Sequence, residues 1–258
     1  NTEDVYTFKF SYTNDKEATV SFAHTFSNDR VTAKINLFKV DKETGKAVPQ
    51  GDATLKGAVY GLYAREDIVY PDGATGTIYK AGEQVASLTT DDKGQASVNG
   101  LYLGKYYIKE ITPPTGYLAD TEEHDLTCSY EGDMTAEVKR ECTSSEQVIK
   151  QPFQIIKAAN NGKTDADLLS GAGFTVYLKS SLTKKADGSY DFDSAKPVVS
   201  GENGATEIFT DEKGYACSIP LPFGSYIVRE TTTPHNYKPV DDFEVNITEN
   251  HPNEPQIW

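Results

Sequence analysis

Two lysines and two glutamates stand where a β-strand would turn them inward. Lys39 ends the alternation Ile35, Leu37, Lys39, and Lys157 ends Phe153, Ile155, Lys157. Glu110 follows Tyr106 and Ile108 in register, and Glu230 follows Tyr226 and Val228. Successive side chains of a strand point to opposite faces, so each charged group shares its face with apolar neighbours. A lone charge there is expensive. Burial lowers a lysine pKa and raises a glutamate pKa, by up to roughly 3–5 units when it is complete. The result is a neutral amine, which is a nucleophile, beside a neutral carboxylic acid, which donates a hydrogen bond and shuttles a proton. Against the carbonyl carbon of an Asn or Asp, such an amine forms an amide with loss of ammonia or water. The glutamate would polarise the carbonyl and carry the protons. The plainer reading of the same residues is a buried salt bridge retained for strand register.

The elements that must hold these groups occur twice. Thr90-Asp91-Asp92-Lys93-Gly94 returns as Thr210-Asp211-Glu212-Lys213-Gly214, and Gly104-Lys105-Tyr106-Tyr107-Ile108-Lys109-Glu110 as Gly224-Ser225-Tyr226-Ile227-Val228-Arg229-Glu230. Gly57-Ala58-Val59-Tyr60 returns as Gly171-Ala172-Gly173-Phe174, and Lys39 itself as Lys157. Four blocks in one order at similar offsets mean duplicated domains rather than short solenoid repeats. They are placed at 31–148 and 149–258. Period-two alternation between turn signals predicts a small antiparallel β-sandwich or partly open barrel in each copy, so the chain is all-β. Asp-Lys-Gly and Glu-Lys-Gly are read as hairpin turns. The best short helix candidates are Tyr79 to Ser87 and Asp165 to Ser170, and the polar inserts 64–85 and 180–201 are read as decorated loops with some local structure. Residues 1–30 stand outside the repeats. Tyr6, Phe8, Phe10 and Tyr12, then Val20, Phe22, His24 and Phe26, alternate around Asn14-Asp15-Lys16 as a β-hairpin, taken as the tail of a preceding domain. The final strand of the second repeat is read as cut short at Trp258.

The chain has 258 residues, 25 Lys+Arg against 39 Asp+Glu, and a formal charge of −14, which disfavours nucleic-acid and anionic-membrane partners. Sixteen Tyr and 11 Phe are too many aromatics for a disordered acidic chain. Three Cys are too few for a disulfide framework. Cys128 and Cys142 flank a predicted hairpin, Ser129 to Glu141; either they pair as a disulfide in an oxidising exterior or they are two buried thiols. Cys217 is read as a small core residue. The isolated histidines and the lack of Cys-x-x-Cys give no metal site, and no cofactor motif is present. Asp187 to Asp193 lacks the closing Glu of a calcium loop and is read as a solvated turn.

The segments INLFKVDKETG and YYIKEITPPTGY, with FQIIKAANNG and YIVRETTTPHNY in the second copy, resemble CnaB-type (SpaA-like, prealbumin-like) domains of Gram-positive surface adhesins and pilins. That resemblance covers both repeats. It implies a first-strand lysine bonded to a last-strand Asn or Asp, with a glutamate ahead of a Pro-x-x-Tyr segment promoting the step. Lys39 and Lys157 match the nucleophile, Glu110 and Glu230 the promoting acid, and Pro114/Tyr117 and Pro234/Tyr237 the following segment. The third member departs. Between Met134 and Phe153 there is no Asn or Asp, and Glu146 lies nearest the expected place. The equivalent of Glu146 in the second repeat, 36 residues after Glu230, falls at position 266, past Trp258. Asn28 lies 11 residues before Lys39, as Glu146 lies 11 before Lys157, and so fits as the acceptor of an upstream domain. The acceptors of the two repeats stay unassigned.

The resemblance implies a structural stalk module of a cell-wall-anchored, extracellular bacterial surface protein, with no turnover activity beyond single-shot cross-linking. Its partners would be neighbouring domains of the same protein. The alternative is a ligand-binding adhesin module, gripping a host extracellular-matrix protein or glycan through Tyr60, Tyr63, Tyr70 and Tyr79 in or near the first insert.

Overall fold

The computed structural model describes residues 28–160 and 167–258, together with residues 7–9, 11, 15–16 and 25. The N-terminal hairpin expected over 1–30 lies largely outside these residues, as does the start of the helix candidate at Asp165. Apart from two short 3-10 segments, the regular secondary structure of the described chain is all strand. Its first unit contains β1 (Thr32–Asp41), β2 (Val59–Ala64), β3 (Gln84–Thr89), β4 (Gln95–Leu101), β5 (Gly104–Thr112), β6 (Glu123–Cys128) and β7 (Glu137–Glu146). The second repeats the set as β8 (Phe153–Ile156), β9 (Gly173–Leu178), β10 (Glu207–Phe209), β11 (Tyr215–Cys217), β12 (Gly224–Thr232), β13 (Phe243–Ile247) and β14 (Gln256–Ile257).

Each unit packs a three-stranded sheet on a four-stranded one. The orders are β4-β1-β7 over β3-β2-β5-β6, then β11-β8-β14 over β10-β9-β12-β13. Pairing is antiparallel within each four-stranded sheet, but the first and last strands of each unit, β1/β7 and β8/β14, run parallel. The sandwich core of the first unit is built from Ile35, Leu37, Tyr60, Leu62, Tyr106 and Ile108, that of the second from Phe153, Phe174, Val176, Tyr226 and Val228. Alternation explains the sorting: β1 buries every second residue, from Ala33 to Asp41.

Three local expectations are corrected. Tyr79–Ser87 is not helical; it is the end of a short strand (Thr77–Tyr79), a turn and the start of β3, whose edge pairs with β2. Residues 167–170 likewise form no helix, only a bridge between Leu168 and Ala158. Ser129–Glu141 is not a hairpin, because β6 pairs with β5 in one sheet and β7 with β1 in the other. Cys128 and Cys142 therefore come from opposite sheets, and both are buried free thiols rather than a disulfide. Burial pushes the Cys142 thiol up to about 11. Cys217 is exposed, not a core residue.

The Asp-Lys-Gly turns are also not hairpins. They carry the chain from the four-stranded sheet (β3, β10) to the three-stranded one (β4, β11). Asp91 Oδ1 accepts from the backbone N–H of Lys93 and Gln95, and Asp211 Oδ1 from Lys213 and Tyr215. This fixes a corner in which Gly94 and Gly214 adopt φ of +71° and +75°.

Candidate functional site

That corner is the first part of the site. The N–H of Lys39 donates to the carbonyl of Gly94 (2.7 Å), and that of Lys157 to Gly214 (2.9 Å). A side chain on either glycine would meet the lysine's own carbonyl oxygen at 2.8 Å. The repeated turn thus pins the lysine backbone, and glycine is required both for its left-handed φ and for the close approach.

The glutamates arrive from the opposite sheet. Glu110 on β5 lies opposite Tyr60 on β2, and Glu230 on β12 opposite Phe174 on β9, in both units beside a bulge in the register. One oxygen of each is held by a backbone N–H ten residues on, Asp120 to Glu110 Oε2 and Val240 to Glu230 Oε2, both 2.7 Å. The other functional contact is to lysine. Lys39 Nζ is 3.4 Å from Glu110 Oε1, and Lys157 Nζ is 2.7 Å from Glu230 Oε2. All four side chains are buried, Lys39 and Glu110 completely. Burial, opposed by attraction to Glu110, pulls the Lys39 amine down to about 8.

In the first unit the structure brings a third group to this pair. Lys39 lies beside Ser144 on the parallel strand β7, and Asp41 beside Glu146. Glu146 Oε2 is in direct contact with Lys39 Nζ, inside the core. Beyond that contact, Oε2 has no hydrogen-bond donor among the described residues. Oε1, by contrast, accepts from Tyr60 Oη (2.7 Å) and Ser144 Oγ (3.0 Å). Lys39 Nζ also donates to Tyr60 Oη at 3.4 Å. Ser144 shares its proton with Asp120 Oδ2 (2.9 Å), which in turn is 2.7 Å from His124 Nε2 at the surface. Burial pushes the Asp120 carboxyl up, but hydrogen bonds from His124, the Glu122 backbone and Ser144 outweigh it and hold it low.

Asp41 is a buried acid that the sequence reading missed. It accepts from the backbone N–H groups of Glu43 and Thr44, from Gln50 and from Tyr117 Oη (3.0 Å), whose ring lies 5.5 Å from Lys39 Nζ. The Pro-x-x-Tyr segment so reaches the site in the first unit through Tyr117, while Tyr237 of the second is exposed. The second unit also offers Phe174 where the first has Tyr60, so it lacks that hydroxyl. Asn28 is exposed.

Of the tyrosines assigned to ligand contact, Tyr60 is instead fully buried and belongs to the lysine site. Tyr63 stacks on Tyr107 beneath Arg65, and Tyr70 meets Tyr102 edge-on. Asp191 and Asp193 sit against Lys185 in an exposed turn. Among the described residues no group of three or more His, Cys, Asp or Glu could hold a metal ion. No helix there is long and apolar enough to cross a membrane.

No curated protein matches the sequence. Among solved structures, the Bacillus anthracis TIE protein is 23% identical with a TM-score of 0.55, over 88% of this chain and 32% of that one. The streptococcal ancillary pilin is 22% identical (TM-score 0.34; 90% of this chain, 62% of that one). The minor pilin of Streptococcus agalactiae is 18% identical (TM-score 0.35; 88% and 93%). These last two superpose loosely. The chain spans about a third of the TIE protein's length and less than two thirds of the ancillary pilin's. The sequence model of the SpaA prealbumin-like fold domain matches residues 33–141 and again 152–257. With two copies of that domain covering most of its length, each presenting a buried lysine to a glutamate, the chain belongs to the SpaA prealbumin-like fold family.

Proposed function

We propose that this chain is a structural stalk module of a cell-wall-anchored bacterial surface adhesin or pilin-like protein. Two modules, 31–148 and 149–258, follow residues 1–30 as the tail of a preceding domain. Each module carries a lysine nucleophile, Lys39 or Lys157, for an internal amide cross-link promoted by Glu110 or Glu230. The setting is extracellular, and the partners are neighbouring domains of the same surface protein.

One observation carries this reading: the first and last strands of the first module are parallel neighbours. Tension enters at the start of β1 and leaves at the end of β7, at opposite ends of one ladder. Its hydrogen bonds are then loaded together in shear rather than opened one by one. The joint to the next module supports the same reading. Val148 is buried with Ala53, Leu55 and Tyr117, and Phe223 of the second module packs on them. The N–H of Phe223 donates to Ile149 and that of Asp52 to Phe223, both 2.8 Å. Lys150 pairs with Glu43 across the joint. A connection this well bonded transmits force without a slack linker.

Single-molecule pulling of the full chain from its two ends tests the proposal. The first module is expected to resist extension above the force that opens an ordinary non-mechanical domain of similar size, run as a control. Release of both modules at the control's force would overturn the stalk reading.

A further inference from the structure

We propose that Glu146 is the acceptor of the first module, joined through Cδ to Lys39 Nζ as a Lys–Glu amide. This deepens the cross-linking part of the function proposed above and rests on it. Between Met134 and Phe153 the chain holds no Asn or Asp; the strand instead brings a longer carboxyl side chain to the amine.

The geometry distinguishes the two oxygens of Glu146. Oε1 is bound by two hydroxyls, Tyr60 Oη at 2.7 Å and Ser144 Oγ at 3.0 Å, the arrangement that stabilises negative charge on a carbonyl oxygen under attack. Oε2 lies against Lys39 Nζ and receives no other hydrogen bond from the described residues. One oxygen is therefore placed to remain as the amide carbonyl and the other to leave. Glu110 reaches the same amine, with Oε1 3.4 Å from Nζ and Oε2 anchored by the Asp120 N–H. An ion pair accounts for the same two oxygens, but it leaves one cation facing two buried carboxylates.

The step balances without a co-reactant. The neutral Lys39 amine attacks Cδ of Glu146 in its protonated form, and the Nζ–Cδ bond forms as the C=O π pair moves to Oε1 between Tyr60 and Ser144. The Glu110 carboxylate takes one proton from Nζ and hands it to the Oε2 hydroxyl. The Cδ–Oε2 bond then breaks, water departs and Glu110 is regenerated. The amide keeps one N–H. Replacing a charged lysine and a carboxylate by a neutral amide also removes two charges from the core.

The second module lacks this hydroxyl pair in one member, since Phe174 replaces Tyr60. The inference is accordingly confined to Lys39 and Glu146.

Denaturing intact-mass spectrometry of the full chain, followed by peptide mapping, tests it. The wild type is expected to lack the mass of at least one water, and its digest to contain a branched peptide joining the Lys39 and Glu146 segments. Glu146→Leu, checked for folding by circular dichroism, should lose the branched peptide and regain one water. Glu146→Gln, with ammonia as leaving group, should converge on the same linked mass as the wild type. An unbranched Lys39 peptide in the wild type would overturn the inference and leave an ion pair. A branched Lys39 peptide that persists in Glu146→Leu would overturn Glu146 as acceptor while sustaining the cross-linking function. Full sequence mass in every form would sink both.

Discussion

Replacing Glu146 by leucine separates a covalent staple from an ion pair by magnitude alone. Leucine has a similar volume, is apolar, and leaves Lys39 with Glu110 as a charge-balanced buried pair. Replacing a complete buried ion pair by well-packed apolar residues is often neutral or stabilising by about 1–4 kcal/mol, whereas removing one partner and stranding a charge costs about 3–5 kcal/mol. Here Glu110 remains to balance Lys39, so the ion-pair reading puts the cost below that range. A covalent bond has a further effect. Lys39 and Glu146 are 146 − 39 = 107 residues apart. Closing a loop of that length removes chain entropy from the unfolded state worth about 4.7 kcal/mol at 25 °C. A domain of about 118 residues unfolds with an entropy near 250 cal/mol/K, so that loss corresponds to a fall of about 20 °C in Tm. Differential scanning calorimetry of wild type and Glu146→Leu measures it, with the second module's transition as internal reference. A Tm within a few degrees of wild type would refute the staple, because nothing in the ion-pair reading compensates for so long a loop.

The same variant exposes the buried amine to titration. Burial holds the unlinked Lys39 amine of the native sequence at about 8 against 10.5 unfolded. In Glu146→Leu, where the burial and Glu110 both remain, it is expected to stay comparably low. Below pH 8 both states are protonated, and the desolvation cost is carried in full. Between about 8 and 10.5 the unfolded chain holds a proton that the folded chain does not, so stability rises with pH, by about 3 kcal/mol in all. Denaturant titrations at pH 7.5 and 10, compared with Glu146→Leu/Lys39→Met, are expected to show that gain only where the lysine is present; equal slopes would contradict it. Gly94→Ala should cost about 2–4 kcal/mol, from a left-handed φ and a clash with the Lys39 carbonyl that disturbs the neighbouring Lys39 N–H bond to the Gly94 carbonyl. Gly45→Ala, at φ +66° with open space around it, is the control for backbone strain alone and should cost less; equal losses in denaturant midpoints would show that the close approach is not what demands glycine.

Much of the fold could be read from alternation. Ile35, Leu37 and Lys39 share the buried face of β1, and Tyr106, Ile108 and Glu110 that of β5, because period two survives wherever a strand has a wet and a dry side. The repeats made the pattern visible twice. Connections were read less well. Thr90 to Gly94 and Ser129 to Glu141 both have the composition of a hairpin, yet each crosses between sheets. Turn chemistry specifies local backbone angles, while the sheet a strand joins depends on where its apolar face can be buried.

The sequence by itself determined the duplicated β architecture and the inward lysine and glutamate of each copy, since those follow from side-chain type and local periodicity. The rest of the site was decided by tertiary structure. Ser144 and Glu146 lie in the polar run Glu141-Cys142-Thr143-Ser144-Ser145-Glu146, which has no apolar signal to mark its buried face. Tyr60 carries its hydroxyl on a different sheet from Lys39, and Asp120 lies in the loop beyond β5. These groups are 21, 71, 81, 105 and 107 residues from the lysine for Tyr60, Glu110, Asp120, Ser144 and Glu146 respectively. Only the parallel pairing of β1 with β7, a contact that no local pattern encodes, brings Glu146 to the amine.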